Sequence, residues 1–296
     1  MKTLTQLRQE KENLIGLGEL TEALKYLSAA KMTKIKKKVL ANRYFLQEAL
    51  TTKTELQKYL ILLNKKKALS RKKGKDDKQD TTIKSNASAL IIAVMSNQGL
   101  CGIFNSQLAK KIIKDFPTAE PDLVIIGRRG KGYFGRSKFA GKLKVVTVPE
   151  EVSITDLDEV FSNLKLYSHV YIYYNMYITA VKSDPVQATF SSSPDEHAAE
   201  KIKKNVKEDS VARTYIVEPN FDDVLEYFQT VIAEAIFMQQ VLESRLSENN
   251  SRMLAMKEAN DNIAQLLDEQ KKEFNRIRRA KINQALTEVF AGRALW

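Results

Sequence analysis

The segment Gly130–Ser137 comes nearest to a motif that could bind a nucleotide. Two glycines followed by Lys and Ser form the loop that cradles phosphates in many nucleotide-binding proteins. Here Arg136 stands where the lysine is required, and its planar guanidinium does not reproduce a lysine's compact charge on the terminal phosphates. The turn Gly99–Gly102 also lacks the spacing of a dinucleotide-binding fingerprint. We therefore interpret Gly130–Ser137 as a basic surface loop and Gly99–Gly102 as a tight strand-to-helix turn, and we predict no cofactor.

Nucleophilic and metal chemistry have few residues to draw on. The single cysteine, Cys101, needs a histidine base to act as a nucleophile, and neither His169 nor His197 lies in a recognisable catalytic motif. The same three residues do not form a zinc-ligand pattern. The carboxylates show no spacing that separates acid–base catalysis from helix solubility. The sequence therefore predicts neither a catalytic residue nor a metal site, and we expect a non-enzymatic protein.

The overall charge predicts acidic partners. A net charge of +12 suits nucleic acid, an anionic lipid surface or an acidic protein ring equally well. The longest apolar runs, such as Ala89–Met95, are far shorter than the roughly 18 residues that a membrane span requires. One cysteine fits a reducing compartment. We expect a cytosolic component that meets a membrane only through its partners.

The carboxyl-terminal part of the chain is predicted to be one long helix. Between Pro219 and Gly292 there is neither glycine nor proline, and helix-forming residues dominate. The predicted seam alternates in steps of four and three, which is the 3.5-residue period of a left-handed coiled coil. It comprises Leu242, Leu246, Asn249, Met253, Met256, Asn260, Ile263, Leu267, Gln270, Phe274, Ile277 and Lys281.

A second long helix is predicted at the amino terminus, where Glu19 to Lys73 contain neither glycine nor proline. Its predicted seam comprises Leu17, Leu20, Leu24, Ser28, Met32, Ile35, Val39, Asn42 and Leu46. The run Lys31–Arg43 is basic and has no acidic residue, which predicts either a solvated lysine face or a contact with an acidic partner. Since both helices leave the same side of a middle domain, we expect them to pair as an antiparallel coiled coil.

The middle of the chain is predicted to be a Rossmann-like α/β domain. Apolar runs predicted as strands alternate with helical patterns, which favours a right-handed parallel sheet with helices on both faces. The predicted strands are Ala89–Met95, Leu123–Ile126, Lys144–Val148 and Val170–Tyr174, and the predicted helices are Asn105–Phe116 and Thr155–Leu166. The predicted organisation is an amino-terminal helix over 1–73, a charged linker over 74–86, the α/β domain over 87–218 and a carboxyl-terminal helix over 219–296.

Three stretches of the chain carry a recognisable family pattern. Met95–Asn105 has the sequence MSNQGLCGIFN after the first strand, and Leu20–Met32 has the sequence LTEALKYLSAAKM. The third stretch lies on the long carboxyl-terminal helix, at Glu243, Ser247, Glu248, Arg252–Lys257, Asp261, Asn262, Asn275, Arg276, Arg278, Ile282, Gln284 and Leu286–Glu288. In order and spacing, these stretches resemble the gamma subunit of F-type ATP synthases over essentially the whole chain.

The resemblance implies a mechanical role. In this family a coiled-coil shaft lies off-axis inside a ring of alternating α and β subunits, and the α/β domain protrudes toward an epsilon-type subunit and the membrane rotor ring. Rotation couples proton or sodium flow to the catalytic sites of the β subunits. The resemblance therefore implies a peripheral subunit at the cytoplasmic face of the membrane, with no direct binding of nucleotide or nucleic acid.

The resemblance also implies which residues face the ring. On the amino-terminal helix they are Lys25, Lys31, Lys34, Lys36, Lys37 and Lys38. On the carboxyl-terminal helix they are Arg252, Met256, Lys257, Arg276, Arg278, Arg279, Gln284, Thr287 and Glu288. The signature turn has structural roles at Gly99, Leu100, Cys101, Gly102 and Asn105.

Two alternatives stay open. The family usually has a charged pair where this chain has Asn97-Gln98, and a second glycine where it has Ile103. These departures are compatible with a gamma-like subunit of a diverged rotary ATPase that drives another machine. The remote alternative is a basic coiled-coil protein that binds nucleic acid through Lys31–Arg43 and Lys65–Lys78.

Overall fold

The computed structural model describes residues 3–70, 86–117, 121–135, 139, 143–153, 155–157, 160–161, 167–180, 182–190 and 216–293. Its helices are α1 (Leu4–Ser70), α2 (Phe104–Asp115), α3 (Lys131–Phe134) and α4 (Phe221–Arg293). Its strands are β1 (Asn86–Val94), β2 (Asp122–Ile126), β3 (Leu143–Val146), β4 (Tyr167–Tyr177) and β5 (Ser183–Phe190). Short 3-10 turns occupy Arg128–Gly130 and Thr155–Leu157.

The chain divides into two compact units. The coil unit comprises Met1–Met32, Leu100–Gly102 and Asn249–Trp296, and the sheet unit comprises Thr33–Gly99 and Ile103–Glu248. Each of the long helices α1 and α4 therefore contributes to both units. In the part of the chain that the structure describes, no helix has a stretch long and apolar enough to cross a bilayer.

The sheet has the strand order β3-β2-β1-β4-β5. Strands β1 to β4 pair in parallel, with Leu90 of β1 opposite Asp122 on one side and Val170 on the other. Strand β5 runs antiparallel to β4 and was not predicted from the sequence. It contains Pro185, and proline is tolerated at the edge of a sheet because its missing N–H faces away from the neighbouring strand.

Both faces of the sheet are covered, because alternate residues of each strand point to opposite sides. On one face, Ile91 and Ala93 of β1 join a buried cluster with Leu108 and Ile112 of α2. On the other face, Leu90, Ile92 and Val94 join a cluster that includes Val39 of α1 and Phe237, Val241 and Leu242 of α4. The second cover layer is thus supplied by the long helices. The helix predicted over Thr155–Leu166 begins with a 3-10 turn, and its remainder falls largely outside the described residues, as does the linker predicted over 74–86.

Within the sheet unit, polar side chains fix the pairing of α1 and α4. The Asn42 side-chain amide donates to the Ala235 carbonyl at 3.0 Å and to Gln239 Oε1 at 2.9 Å. The Arg43 guanidinium donates to Glu243 Oε1 at 2.7 Å, and Glu243 is buried. A polar seam position such as Asn42 therefore specifies register, because its donors find partners at only one alignment of the helices.

Within the coil unit, α1 and α4 pair antiparallel, as predicted. Arg8 lies 5.7 Å from the ring centre of Phe274, and Glu10 accepts a 2.8 Å hydrogen bond from Gln270. The predicted α4 seam is confirmed between Met256 and Ile277, where each seam residue is buried or half-buried. Lys281, the last predicted seam position, is exposed.

The predicted α1 seam is wrong at its amino-terminal end. Leu17 and Leu20 are 51% and 55% exposed, and the half-buried positions are Leu14, Gly18 and Thr21. A Cβ built on Gly18 would lie only 3.5 Å from Ile263 Cγ2. The seam here therefore contains the small residues Gly18 and Thr21 beside Leu14, whereas Leu17 and Leu20 point outward.

This arrangement predicts opposite effects for two nearby substitutions. Gly16 has no atom within 4 Å of a built Cβ, so Gly16→Leu is expected to stabilise α1 by about 0.5–1 kcal/mol through helix propensity alone. Gly18→Leu is expected to destabilise the coil unit by about 1–3 kcal/mol, because the added carbons must enter the occupied seam. Thermal unfolding of the two full-length variants, followed by circular dichroism, measures both effects. Equal shifts would contradict the placement of Gly18 in the seam.

Candidate functional site

The signature turn after β1 contains two residues with left-handed backbone conformations. Leu100 has φ +61° and Gly102 has φ +54°. Leu100 is 62% exposed, whereas Cys101 is buried. A Cβ built on Gly102 would lie 3.7 Å from Ala255 Cβ, so the tip of the turn packs against α4 within the coil unit. Gly99–Gly102 lies in the connection between β1 and α2, where a strand-to-helix turn was predicted.

Asn105 closes the base of this turn. Its side-chain oxygen accepts the Ser96 backbone N–H at 3.0 Å, and its amide nitrogen donates to Ser96 Oγ at 2.6 Å. Asn105 and Ser96 are both buried. The base of the turn therefore depends on hydrogen bonds that water does not replace.

Asn105→Ala is expected to destabilise the sheet unit by about 1–3 kcal/mol, because it leaves the buried Ser96 N–H without its acceptor. Ser106→Ala is a suitable control, because the Ser106 hydroxyl makes a local 2.9 Å hydrogen bond to the Ile103 carbonyl at a more accessible position. The control should cost less than about 1 kcal/mol. Urea unfolding of both variants checks the difference, and similar midpoints would contradict the role given to Asn105.

The segment predicted as a basic surface loop is instead helical and partly buried. Residues Arg128–Gly130 form a 3-10 turn and Lys131–Phe134 form α3. Gly130 and Phe134 are buried, whereas Lys131, Gly132 and Tyr133 are exposed. Charge and glycine content did not indicate this, because the burial of the segment depends on the packing of Phe134 against Phe139, whose ring centres lie 6.0 Å apart. Arg136 and Ser137 lie outside the described residues.

The carboxyl-terminal edge of β1, where α/β sheets commonly bind ligands, is occupied by the chain itself. Ser244 of α4 donates a 3.2 Å hydrogen bond to the Val94 carbonyl. The Met95 N–H donates to the Ile126 carbonyl at 2.8 Å. The first contact holds α4 on the sheet, and the second continues the pairing of β1 with β2 beyond Val94.

The basic run of α1 divides into two groups in the structure. Lys34 hydrogen-bonds to Glu151, and Lys38 Nζ lies 3.6 Å from Glu151 Oε2. The hydrogen bond from Lys34, with the charges of Lys34 and Lys38, holds the pKa of the Glu151 carboxyl below its ordinary value. Lys36 and Lys37 are exposed, and Lys36 lies on the opposite side of the helix from Lys34.

The other predicted α1 contacts lie in the coil unit and are half-buried. Lys25 Nζ lies 3.8 Å from Glu22 Oε1 and 4.6 Å from the ring centre of Tyr26. Lys31 is also half-buried. Half-burial is usual for long basic side chains, whose apolar stems can cover a surface while their charged ends reach solvent.

Two of the predicted α4 contacts are interior residues. Arg252 and Met256 are only 6% and 5% exposed, and Arg252 donates a 3.3 Å hydrogen bond to Asn249. Sequence periodicity did not reveal that this segment of α4 is enclosed on nearly every side. We therefore assign Arg252 and Met256 to the interior of the coil unit, while Lys257 is exposed.

The remaining predicted contacts lie on the last turns of α4, where every side chain from Arg278 to Ala291 is exposed. Arg276 pairs with Glu273 at 2.7 Å. Gln284 donates to Glu288 at 3.0 Å, and Thr287 donates to the Asn283 carbonyl at 2.9 Å. The predicted group Arg276, Arg278, Arg279, Gln284, Thr287 and Glu288 thus lies at one accessible end of α4.

Two apolar surfaces of the coil unit were missed by sequence analysis. The tip stripe consists of Ile282, Leu286, Val289 and Phe290, which are 51%, 51%, 64% and 66% exposed. Their spacing of four, three and one residues places them on one side of α4. This spacing is visible in the sequence and could have indicated the stripe. The outer stripe consists of Leu17, Leu20 and Leu27 on α1, each at least half exposed. Contiguous exposed apolar residues of this kind mark surfaces that a partner covers.

Comparison with known proteins gives a consistent result. The family model described as ATP synthase matches residues 3–294. An ATP synthase gamma chain of Clostridium beijerinckii is 29% identical over 69% of this chain and 71% of its own length. An ATP synthase gamma chain of Halothermothrix orenii is 24% identical over 99% of this chain and 98% of its own length.

Solved structures share the fold. A chain in the rotor of the Euglena gracilis mitochondrial ATP synthase aligns with a TM-score of 0.59 and 16% identity, covering 94% of this chain and 99% of that one. A chain from the central stalk and c-ring of the Tetrahymena thermophila mitochondrial ATP synthase aligns with a TM-score of 0.55 and 21% identity, covering 81% and 99%. The combination of two long helices with a central mixed sheet is therefore an arrangement found in these solved central stalks.

Proposed function

The chain belongs to the ATP synthase gamma-chain family, and from this premise we propose that it is the central rotor shaft of an F-type ATP synthase or ATPase. The shaft couples rotation to conformational cycling of catalytic β subunits and to ion translocation. It is a non-catalytic subunit of the enzyme complex. ATP is made or hydrolysed in the surrounding subunits, and the shaft acts on them mechanically.

The observation that carries this proposal is the surface of the coil unit. Its paired helices expose the outer stripe on α1 and the tip stripe on α4, although a free coiled coil would place its large apolar residues in the seam. Basic residues accompany these stripes, among them Arg278 and Arg279. A mixed apolar and basic surface on a rigid rod fits an enclosing protein ring with acidic loops.

An asymmetric shaft can bias identical subunits to different states. The outer stripe lies on one helix and the tip stripe on the other, so the residues facing a surrounding subunit change with the rotational angle of the shaft. Each subunit of a ring therefore makes different contacts at a given angle. Since a partner shifts a conformational equilibrium only through differential contacts, rotation changes which subunit is biased toward tight nucleotide binding.

The proposed partners are the α and β subunits of the catalytic ring, with an epsilon-type subunit and the membrane rotor ring at the α/β domain. The chain reaches the membrane only through them, as a peripheral subunit at its cytoplasmic face, and binds no nucleic acid. The proposed ring contacts are Lys25, Lys31, Lys34, Lys36, Lys37, Lys38, Lys257, Arg276, Arg278, Arg279, Gln284, Thr287 and Glu288. The interior residues Arg252 and Met256 support the shaft from within. The predicted domain bounds, with the α/β domain over 87–218, are proposed as the division between shaft and protruding domain.

Co-purification tests this function. A tagged full-length chain is isolated from its native source at moderate salt, its partners are identified by mass spectrometry, and ATPase activity is measured on the complex and on the isolated chain. Recovery of α, β and membrane-ring subunits, with turnover confined to the complex, is the expected result. Recovery of α- and β-like subunits with unrelated further partners would instead identify a diverged rotary ATPase that drives another machine. Absence of ring subunits, or salt-sensitive recovery of nucleic acid alone, would contradict the rotor.

A further inference from the structure

A single carboxylate holds two lysines of the basic run. Lys34 and Lys38 are four residues apart and therefore project from the same side of α1. Both reach Glu151, which lies in the loop that follows β3. Lys36 is about 200° around the helix from Lys34 and points elsewhere. The run thus contains a two-lysine carboxylate site, and this site is occupied by a residue of the same chain.

The loop that carries Glu151 is held in place from its other side. Asn97 of the signature turn donates to the Val148 carbonyl at 2.7 Å, and Gln98 donates to Glu150 Oε1 at 2.6 Å. Asn97 also accepts the Arg128 backbone N–H at 3.4 Å. The uncharged pair Asn97-Gln98, which departs from the usual family pattern, therefore serves to position the acidic loop 147–151.

The pairs that Glu151 makes are exposed and easily exchanged. The side chains of Lys34, Lys38 and Glu151 are 63%, 41% and 62% exposed. Ion pairs at such exposure contribute little to stability, because water and salt compete with them. One carboxylate facing two lysines also leaves a net positive charge at the site. A second carboxylate supplied by a partner can therefore take its place at small cost.

We propose that Glu151 is an internal competitor for this carboxylate site, so that an acidic segment of the ring subunits contacts Lys34 and Lys38 only by displacing it. This inference rests on the proposed rotor function and adds to it that the chain blocks one of its own partner-binding sites. Two other lysines of the run, Lys36 and Lys37, are exposed and receive such a segment directly.

Lysine acylation of the isolated full-length chain tests the masking without any partner. Glu151→Gln removes the competing charge while keeping a side chain of the same size. The acylation rates of Lys34 and Lys38 are expected to rise by about two- to five-fold, whereas that of Lys36, on the far side of the helix, stays constant. Glu226→Gln is the matched control, because Glu226 is an exposed glutamate on α4 and its loss changes the net charge equally. Unchanged rates at Lys34 and Lys38 would overturn the proposal.

Assembly with the α and β subunits purified from the same source tests the competition. At low salt, Glu151→Gln is expected to bind the ring about two- to five-fold more tightly than the unaltered chain, and the gain should vanish at high salt. Glu226→Gln should bind like the unaltered chain. If the unaltered chain assembles and Glu151→Gln shows no gain over the control, the competition is refuted while the rotor function stands. If the unaltered chain itself fails to assemble, the rotor function is contradicted.

Discussion

Gly127→Ala is expected to destabilise the sheet unit by about 3 kcal/mol or more. Gly127 follows β2 with φ 124° and ψ 133°, a conformation open almost only to glycine. A Cβ there would lie 2.3 Å from the Met95 carbonyl oxygen and 2.9 Å from that of Ser96. The backbone cannot move aside, because the Gly127 N–H donates to the Val146 carbonyl at 3.0 Å. The substitution must therefore break a strand contact or accept a clash.

Gly132→Ala is the control for this substitution. Gly132 lies in the same segment, within α3, and has nothing within 4 Å of a built Cβ. Alanine there is expected to be neutral or stabilising by up to about 1 kcal/mol. Hydrogen exchange of the β1 and β2 amides in the full-length variants reads the sheet unit separately from the coil unit. Native-like protection in Gly127→Ala would show that the turn tolerates a side chain and would contradict the geometry.

The sheet was predictable wherever burial is complete on both faces. Strand β1 is a continuous apolar run because α2 covers one face and the long helices cover the other, and such runs are distinctive in sequence. Strand β5 was missed because it is a half-exposed edge strand interrupted by Pro185. It pairs with β4, which ends at Tyr177, and only the five residues 178–182 separate the two strands, so the apolar pattern of β5 and not the distance to its partner hid it from sequence reasoning.

The coiled coil shows why periodicity alone misplaced part of the seam. The apolar positions Leu17 and Leu20 were assigned to the inside because a seam usually contains the largest side chains. Here Gly18 and Thr21 lie inside, and the leucines remain outside, on the surface for which we propose a protein partner. Where a helix has two apolar faces, the sequence alone does not tell which face meets its own chain.

Single long-range contacts were beyond sequence reasoning altogether. Glu151 is one acidic residue among many, and nothing in its neighbourhood indicates that it meets Lys34 across the fold. The burial of Arg252 was equally unpredictable, because an arginine on a helix is normally exposed to solvent. Both cases depend on which elements the fold brings together, and no periodic pattern encodes that.

The largest functional effect is expected at the tip stripe. The double substitution Leu286→Asp and Phe290→Asp should weaken assembly of the full-length chain with the α and β subunits by about 100-fold. Leu286 and Phe290 are 51% and 66% exposed in the chain alone, so covering the rest of each side chain contributes about 1 kcal/mol or more. The introduced carboxylates add the cost of placing charge in an apolar contact.

Ala280→Asp with Ala291→Asp provides the matched control for the tip stripe. Both alanines are exposed and lie on the opposite side of α4, roughly 150° from the centre of the stripe at 3.6 residues per turn. The control adds the same charge and the same poor helix former to the same helix end, but it removes almost no apolar surface. Binding affinity measured for both double variants separates contact from charge. If both double variants lost the same binding affinity, the added charge alone would explain the loss. The proposed apolar contact between the tip stripe and the ring would then be contradicted.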